Sequence, residues 1–286
     1  MSKPPLCAAA LPVTKAPKQA LPIGSVDCHF HIFDAPSEIV TEASYHPPVA
    51  SVSDYRNLQK TLGFERSVVI QPSIYGDDNR TTLSACDHDP NRKAVIVIDN
   101  AISDDELHKL AQSDVTGCRV NMLFSSGVKN DDLLALTHQI AEHGWHLQIL
   151  ADFSQLVEFE RFIDQCPVPI MFDHMGHMAL SSHSYQSDFA RFLKLLSDGK
   201  IWTKLSAPYR ISTSQTQLYD DVASSVSRLV SANPEQLVWG TDWPHPQAGK
   251  VMPDDTLMLD QLMDWIPNSQ DRQRIFASNP QIFYGI

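Results

Sequence analysis

The chain has 286 residues, of which 43% are hydrophobic, and 34 acidic against 22 basic residues give it a formal net charge of -12. This balance argues against a nucleic-acid-binding surface, because phosphate contacts rely on clustered Lys and Arg. No apolar run in the sequence approaches the length of a membrane span. The five cysteines are scattered and form no Cys-x-x-Cys pair, which favours a reduced, cytoplasmic setting.

The chain begins with a proline-rich stretch, residues 1–22, that is predicted to be a flexible arm ahead of one domain, residues 23–286. Its short apolar run at residues 6–11 lies between prolines and is not expected to be a signal peptide. The first strand is expected in the segment VDCHFHIF. Because side chains alternate along a strand, Asp27, His29 and His31 are predicted to share one face. Polar groups that are buried side by side need partners, so the His-x-His pair favours a functional site.

Helices and strands are then predicted to alternate along the rest of the chain. The predicted helices are residues 52–62, 79–88, 104–112, 131–143, 153–165, 184–198, 215–232 and 256–266. The predicted later strands are residues 67–73, 93–99, 117–123, 145–151, 168–174, 201–207 and 236–242. Ser103 and Asn130 are expected helix caps, and the apolar stripe from Leu218 to Leu229 supports the seventh helix.

Eight strand-helix units in one chain predict an α/β protein with a single-domain (β/α)8 TIM-like barrel. An open, doubly wound sheet is the competing fold, but no Gly-x-Gly-x-x-Gly follows any predicted strand. In a barrel of this type the functional side chains lie at the carboxyl ends of the strands. The polar residues at those ends include His29 and His31, Ser73 and Tyr75, Asp99 and Asn100, Arg119 and Asn121, Asp173 and His174, Tyr209 and Arg210, and Asp242 and His245. Lys204 lies within the seventh strand and is expected either to pair with a carboxylate inside the barrel or to extend outward.

Five segments together resemble the amidohydrolase superfamily, and within it the branch of 2-pyrone-4,6-dicarboxylate hydrolase and sugar-lactone hydrolases. They are VDCHFHIF in the first strand, QPSIYGDDN after the second, IMFDHMG in the sixth, VWGTDWPHP in the eighth and ASNPQIFYG near the C-terminus. The resemblance implies a TIM-like barrel that hydrolyses a small-molecule lactone. The roles that it implies are general base for Asp242, carbonyl polarisation for His29, His31 and His174, and carboxylate binding for Arg119, Arg210 and Ser73.

The chemistry of these residue types agrees with the implied roles. A lactone hydrolase needs a base for water and positive groups where the oxyanion develops. A carboxylate such as Asp242 is an effective base if its surroundings raise its pKa, and arginine matches a carboxylate with its planar fork. The alternative for Arg119 is a salt bridge inside the barrel mouth.

The chain departs from the dicarboxylate pattern at Ser125, Leu150 and His177, where the pattern has arginine, tyrosine and arginine. Because a buried carboxylate without a partner costs several kcal/mol, a substrate with one carboxylate, or a neutral sugar lactone, is expected. Tyr75 and His177 are expected to take over part of the substrate binding.

A metal ion is the main open question about cofactors. His29, His31 and Asp242 could hold one divalent ion such as zinc, with His174 as a fourth ligand. Strand four lacks a bridging Lys or Glu and strand five lacks a terminal His, which disfavours a two-metal site. The resembled branch works without metal, so no cofactor is predicted to be required.

Three other functions remain as alternatives to hydrolysis. One is a lactone isomerase that passes the acyl group to a substrate hydroxyl, and another is a metal-dependent decarboxylase. The third is a non-catalytic binding protein, which the intact set of histidines and Asp242 argues against. The oligomeric state does not follow from the sequence.

Overall fold

Eight parallel strands follow one another around the sheet in chain order in the computed structural model, which describes residues 4–41, 43–99, 101–123, 130–249 and 251–286. The strands are β1 Val26–Phe30, β2 Arg66–Ile70, β3 Arg92–Ile96, β4 Val115–Asn121, β5 His146–Leu150, β6 Ile170–Phe172, β7 Trp202–Lys204 and β8 Leu237–Val238. Asp242 N donates to His29 O at 2.8 Å and Cys28 N to Trp239 O at 2.9 Å, which joins the last strand to the first. The predicted single-domain (β/α)8 barrel is confirmed.

Helices connect the strands and cover the outside of the sheet. They are α1 Val52–Leu62, α2 Arg80–Ser84, α3 Asp104–Ala111, α4 Asn130–Ala141, α5 Phe159–Gln165, α6 Tyr185–Ser197, α7 Ala223–Ala232, α8 Asp255–Trp265, α9 Ser269–Gln273 and α10 Asn279–Tyr284, with a π-helix at Arg274–Ser278. Ser103 caps α3 as predicted, since its hydroxyl accepts from Glu106 N. Asn130 is the other predicted cap, and its side chain lies outside the part of the chain that the structure describes.

The predicted helix at residues 215–232 is wrong over its first half. The α-helix begins at Ala223, and Leu218 is 49% exposed instead of lying on the apolar stripe. Asp221 accepts hydrogen bonds from Thr213 N at 2.7 Å and from the Ser212 hydroxyl at 2.6 Å. These side-chain contacts give the preceding backbone a non-helical alternative.

The predicted helix at residues 153–165 also differs, because it is divided into two pieces. A 3-10 turn at Phe153–Gln155 precedes α5, and Glu158 between them has a φ of 55°. A left-handed residue interrupts a right-handed helix, so the α-helix starts only at Phe159.

Strand β1 does not place its side chains as simple alternation predicts. Asp27 pairs with Ser67 but Phe30 pairs with Val69, so β1 has one extra residue in this interval. Such a bulge changes which face each side chain takes. Cys28 packs with the apolar cluster inside the barrel, whereas Asp27 accepts from the Tyr55 hydroxyl of α1 at 3.0 Å. The prediction that Asp27 shares a face with His29 and His31 is therefore wrong.

Residues 4–22 contain one isolated bridge, between Leu6 and His46, and hydrogen bonds and apolar contacts join them to the barrel. Cys7 N donates to His46 O at 2.9 Å, next to Tyr45, and Lys18 N donates to Asp260 of α8 at 2.7 Å. The arm thus runs from the segment beside Tyr45 to α8. The division into an arm, residues 1–22, and a barrel stays a prediction. In the described part of the chain no helix has both the length and the apolar character needed to cross a membrane.

Candidate active site

A cavity of about 220 Å³ opens at the carboxyl ends of the strands. Its lining residues are His31, Tyr45, Ser73, Arg119, Leu123, Leu150, His174, His177, Arg210, Asp242, Pro246 and Gln247. Seven of the nine residues predicted for the site are among them, and His29 lies directly beneath. We call this space the site cavity.

Three histidines direct their Nε2 atoms at one oxygen of Asp242. The Asp242 Oδ1 atom lies 3.5 Å from His29 Nε2, 3.7 Å from His31 Nε2 and 3.8 Å from His174 Nε2. The Nε2 atoms of His29 and His31 are 3.3 Å apart. Asp242 Oδ1 is buried and accepts no hydrogen bond from the described residues. The predicted catalytic residues therefore meet at one point at the base of the site cavity.

The other oxygen of Asp242, Oδ2, is fully occupied. Arg210 donates to it from Nε at 2.9 Å and from Nη2 at 2.7 Å, and the Tyr209 hydroxyl donates as well. Burial by itself would raise the pKa of Asp242, but Arg210 and the three histidines hold it well below its usual value. Asp242 is thus a charged carboxylate with a lowered pKa, where the sequence interpretation asked for a raised one.

His29 is held from below by a buried charge network. Its Nδ1 lies 3.1 Å from Lys204 Nζ and 3.3 Å from Asp173 Oδ1. Lys204 also donates to Gln148 at 2.7 Å and pairs with Asp173 at 3.3 Å. Lys204 is therefore paired inside the barrel, which decides between the two expectations for it.

Asp27 contacts the backbone of His29 and not its imidazole ring. Asp27 Oδ1 accepts from the backbone N of His29 at 3.1 Å and from Thr241 N at 2.9 Å, while Oδ2 binds hydroxyls. Burial raises the pKa of Asp27 to about 6. Asp27 thus ties the β1 backbone to the segment after β8, and Asp173 takes the place beside the imidazole.

The histidines of the site are neutral at physiological pH. Burial lowers the pKa of His29 to about 4, with a further contribution from Lys204. Burial also lowers the pKa of His31 and His174 well below the usual value. His31 Nδ1 lies 2.8 Å from Ile70 O, an acceptor, so its proton is on Nδ1 and its Nε2 offers a lone pair.

Two backbone features bring these residues together. A Cβ at Gly240 would lie 2.5 Å from His29 N, so only glycine allows this approach of the β8 segment to β1. Asp242 has a φ of 64°, a left-handed conformation that is rare outside glycine and common at functional sites. The bonds from Asp242 N to His29 O and from His245 N to Asp242 O, at 2.8 and 2.7 Å, hold it there.

The walls of the site cavity carry the predicted substrate-binding residues, with one exception. Ser73 and Arg119 line it, and Arg119 also pairs with Asp173 at 3.2 Å, which is the salt bridge considered as its alternative; its substrate-binding role stays a prediction. His177 lines it too, and burial lowers the pKa of His177 to about 4. Tyr75 does not belong to the lining, because its hydroxyl donates to Asp34 O at 3.1 Å.

One wall is apolar where the resembled pattern is polar. Leu123 and Leu150, at the ends of β4 and β5, both line the site cavity. Ser125 and Asn100, which the sequence also singled out, lie outside the described residues. Among the described residues, this wall offers no cation to a second carboxylate.

Tyr45 is a site residue that sequence reasoning did not select, and Tyr209 was placed at a strand end without a role. Tyr45 lines the site cavity together with Ser73, while the Tyr209 hydroxyl donates to Asp242. Tyr45 comes from the loop between β1 and α1, where position relative to a strand end gives no signal. Tyr209 directly precedes Arg210, and that adjacency was its available signal.

The donor set fits a single divalent ion. His29, His31 and Asp242 form a group with mutually close ligand atoms, and His174 Nε2 lies 3.8 Å from Asp242 Oδ1. In a tetrahedral zinc site with bonds of about 2.0–2.1 Å, ligand atoms lie roughly 3.4 Å apart, close to the spacings found here. The unpartnered Oδ1 of Asp242 and the lone pair of His31 agree with such an ion.

Comparison with known proteins extends over nearly the whole chain. Residues 26–286 match the model of the amidohydrolase family. The 2-pyrone-4,6-dicarboxylate hydrolase of Comamonas testosteroni is 33% identical over 281 residues, which cover 94% of this chain and 92% of that protein. The D-galactarolactone isomerase of Agrobacterium fabrum is 28% identical over 275 residues, covering 94% of each chain. The apo crystal structure of an Agrobacterium tumefaciens protein superimposes with a TM-score of 0.85 at 26% identity, covering 94% of this chain and 98% of that one.

Proposed function

We propose that this chain, which belongs to the amidohydrolase family, is an enzyme that hydrolyses the ring ester of a small lactone. The observation that carries the proposal is the meeting of Asp242 Oδ1 with three histidine Nε2 atoms at the base of a cavity that two arginines line. The similarity to a lactone hydrolase and a lactone isomerase supports the same substrate class.

The reaction follows from the two oxygens of Asp242. Oδ1 accepts a proton from a water molecule as the water oxygen attacks the lactone carbonyl carbon. The ring C–O bond then breaks, and the proton passes from Asp242 to the leaving oxygen to give the open hydroxy acid. Oδ2 remains bound to Arg210 and Tyr209 throughout.

The histidines differ in what they offer to the reacting atoms. Neutral His31 presents its Nε2 lone pair, which accepts a hydrogen bond from the attacking water. His174 Nδ1 lies 2.8 Å from the Ser206 hydroxyl, and when that hydroxyl donates, His174 carries its proton on Nε2. That N–H is placed to stabilise the oxyanion that develops on the carbonyl.

The lowered pKa of Asp242 makes it a weak base, so the water itself must become more acidic. Asp242, His29 and His31 are the residues that would hold a divalent ion, and His174 would join them in its other tautomer, in which Nδ1 donates to Ser206 and Nε2 offers a lone pair. Such an ion would supply Lewis-acid activation of the water and the carbonyl. The prediction that no metal is required stays a prediction, which activity before and after chelation tests.

For the substrate we propose a lactone with one carboxylate, with a neutral sugar lactone as the alternative. Arg119, with Ser73 and Tyr45 beside the cavity, supplies a cationic and hydroxyl-bearing wall. Leu123 and Leu150 offer no positive charge. A second substrate carboxylate buried against them would therefore cost several kcal/mol.

A lactone panel tests the proposal. Purified protein is assayed with 2-pyrone-4,6-dicarboxylate, a monocarboxylated muconolactone and a neutral sugar lactone. We expect hydrolysis, with the monocarboxylated compound fastest. Fastest turnover of the dicarboxylate would refute the substrate argument, and no turnover of any lactone would refute the function.

Isomerisation is the second candidate, and the similarity to D-galactarolactone isomerase favours it. An isomerase passes the acyl group to a substrate hydroxyl, so no solvent oxygen enters the product. Turnover in water labelled with oxygen-18 distinguishes the two reactions, because hydrolysis adds one labelled oxygen to the new carboxylate.

A further inference from the structure

Asp242 binds to a chain of buried polar side chains that the proposed reaction does not use. The Tyr209 hydroxyl donates to Asp242 Oδ2 and lies 3.4 Å from His245 Nδ1. His245 Nε2 lies 3.1 Å from Oδ2 of Asp255, the first residue of α8. The path therefore leads from the candidate base, through two side chains, to the first residue of α8.

We propose that Tyr209, His245 and Asp255 are positioning residues that orient the Asp242 carboxylate, so that Oδ1 alone faces the reacting water. The proposal rests on the proposed function for its catalytic meaning. None of these three residues reaches the reacting atoms, and each acts through the next.

The hydroxyl of Tyr209 is well suited to this task. A phenolic hydroxyl has one proton to donate, and that of Tyr209 is donated to Asp242 Oδ2. Arg210 makes both of its contacts to the same oxygen, Oδ2, and Tyr209 adds a third donor to it. A rotation of the carboxylate about its Cβ–Cγ bond would move Oδ2 away from all three donors.

His245 and Asp255 form a hydrogen-bonded pair that is almost completely buried. His245 is 0% exposed and Asp255 is 1% exposed. Asp255 Oδ1 accepts no hydrogen bond from the described residues, so the contact to His245 is the main compensation for burying this carboxylate. Buried polar pairs of this type add little stability compared with apolar residues of similar size, which favours a role in placing Tyr209.

The test uses the lactone that wild-type protein hydrolyses fastest in the panel above. We expect Tyr209→Phe to lower kcat about tenfold while KM changes less than about twofold. The matched control is Tyr185→Phe, which removes a buried hydroxyl that bonds to Ser225 at 2.6 Å far from the site, and should leave kcat unchanged.

Two substitutions of His245 separate its contacts. The amide of His245→Asn can replace Nδ1 and keep the contact to Tyr209, whereas that of His245→Gln can replace Nε2 and keep only the contact to Asp255. We expect kcat of the Asn variant to exceed that of the Gln variant. In the Tyr209→Phe background, His245→Gln should lower kcat no further, because its route to Asp242 is gone. Fully additive losses, or losses in KM alone, would overturn the proposal.

A crystal structure of Tyr209→Phe gives a result that is independent of turnover. We expect the Asp242 carboxylate to be rotated, or divided between two orientations, relative to wild-type crystals. An unmoved carboxylate overturns the positioning proposal even where lactones are hydrolysed. If no lactone is hydrolysed, the proposed function fails, and the rotation still decides whether these residues orient Asp242.

Discussion

Replacing the candidate base is the sharpest test of the proposed reaction. Asp242→Asn preserves the shape of the side chain and removes its ability to accept a proton. The amide oxygen can still accept the hydrogen bonds of Arg210 and Tyr209, and the amide nitrogen can face the histidines. We therefore expect the variant to fold and to bind the lactone.

The expected loss of rate is large. General-base catalysis contributes about 10²–10⁴-fold, which equals about 3–6 kcal/mol in activation free energy at about 1.4 kcal/mol per tenfold. The stability cost arises mainly at Arg210, which is 15% exposed and loses its counter-charge. Breaking a buried pair costs about 3–5 kcal/mol, and the retained hydrogen bonds place this variant at the lower end.

The assay compares kcat, lactone affinity and urea unfolding for wild type, Asp242→Asn and Asp99→Asn. Asp99 is an exposed carboxylate beyond β3 that does not line the site cavity, so its variant should match wild type within about twofold. If Asp242→Asn keeps more than about a tenth of the wild-type kcat, the general-base role is refuted. The pH dependence is a second check, because the lowered pKa keeps Asp242 charged from pH 8 to pH 5. A fall in kcat between pH 8 and pH 5 would therefore not arise from protonation of Asp242.

Three further outcomes are expected. Arg119→Gln should raise KM about 10- to 100-fold for a carboxylated lactone, the value of a lost charged hydrogen bond, and leave KM for a neutral lactone unchanged; equal effects on both would contradict carboxylate binding. Ser206→Ala, which removes the 2.8 Å contact to His174, should weaken binding of added Zn²⁺ alone about tenfold, as measured by calorimetry, and unchanged affinity would remove His174 from the ligand set. Burial lowers the pKa of His146 to about 3, so between pH 7 and pH 5 the unfolded chain binds a proton that the folded chain does not, and stability should fall by about 2 kcal/mol; His146→Gln should make urea unfolding less pH-dependent, and an equal slope would refute this origin.

The barrel was predictable from the sequence because a local sequence pattern specifies each of its strands and most of its helices. Alternating apolar strands and amphipathic helices set the fold, and the rule that function lies at strand ends then selected His31, His174 and Asp242 from distant parts of the chain. No contact between strands had to be known in advance. The same reasoning left two alternatives for Lys204, because the partner of a buried charge is set by the tertiary structure and not by the local sequence.

The β1 bulge shows why the rest could not be read from the sequence. An extra residue between Asp27 and Phe30 reverses the faces, and nothing in the letters VDCHFHIF marks it. The neighbouring segment after β8 holds this bulge, since Asp27 accepts from Thr241 N and Asp242 N donates to His29 O. Tyr45 was missed for a similar reason, since a loop residue becomes part of the site only through folding.

The net charge of the whole chain differs in sign from the charge of the candidate site. The chain is strongly acidic, with a formal charge of -12, yet its site gathers the cations Arg119, Lys204 and Arg210 against the carboxylates Asp173 and Asp242. With the histidines neutral, this cluster carries a net positive charge. Because it is buried, solvent screens it far less than the surface acids. An anionic lactone is therefore attracted once it enters the cavity, and the surface charge affects mainly how fast it arrives.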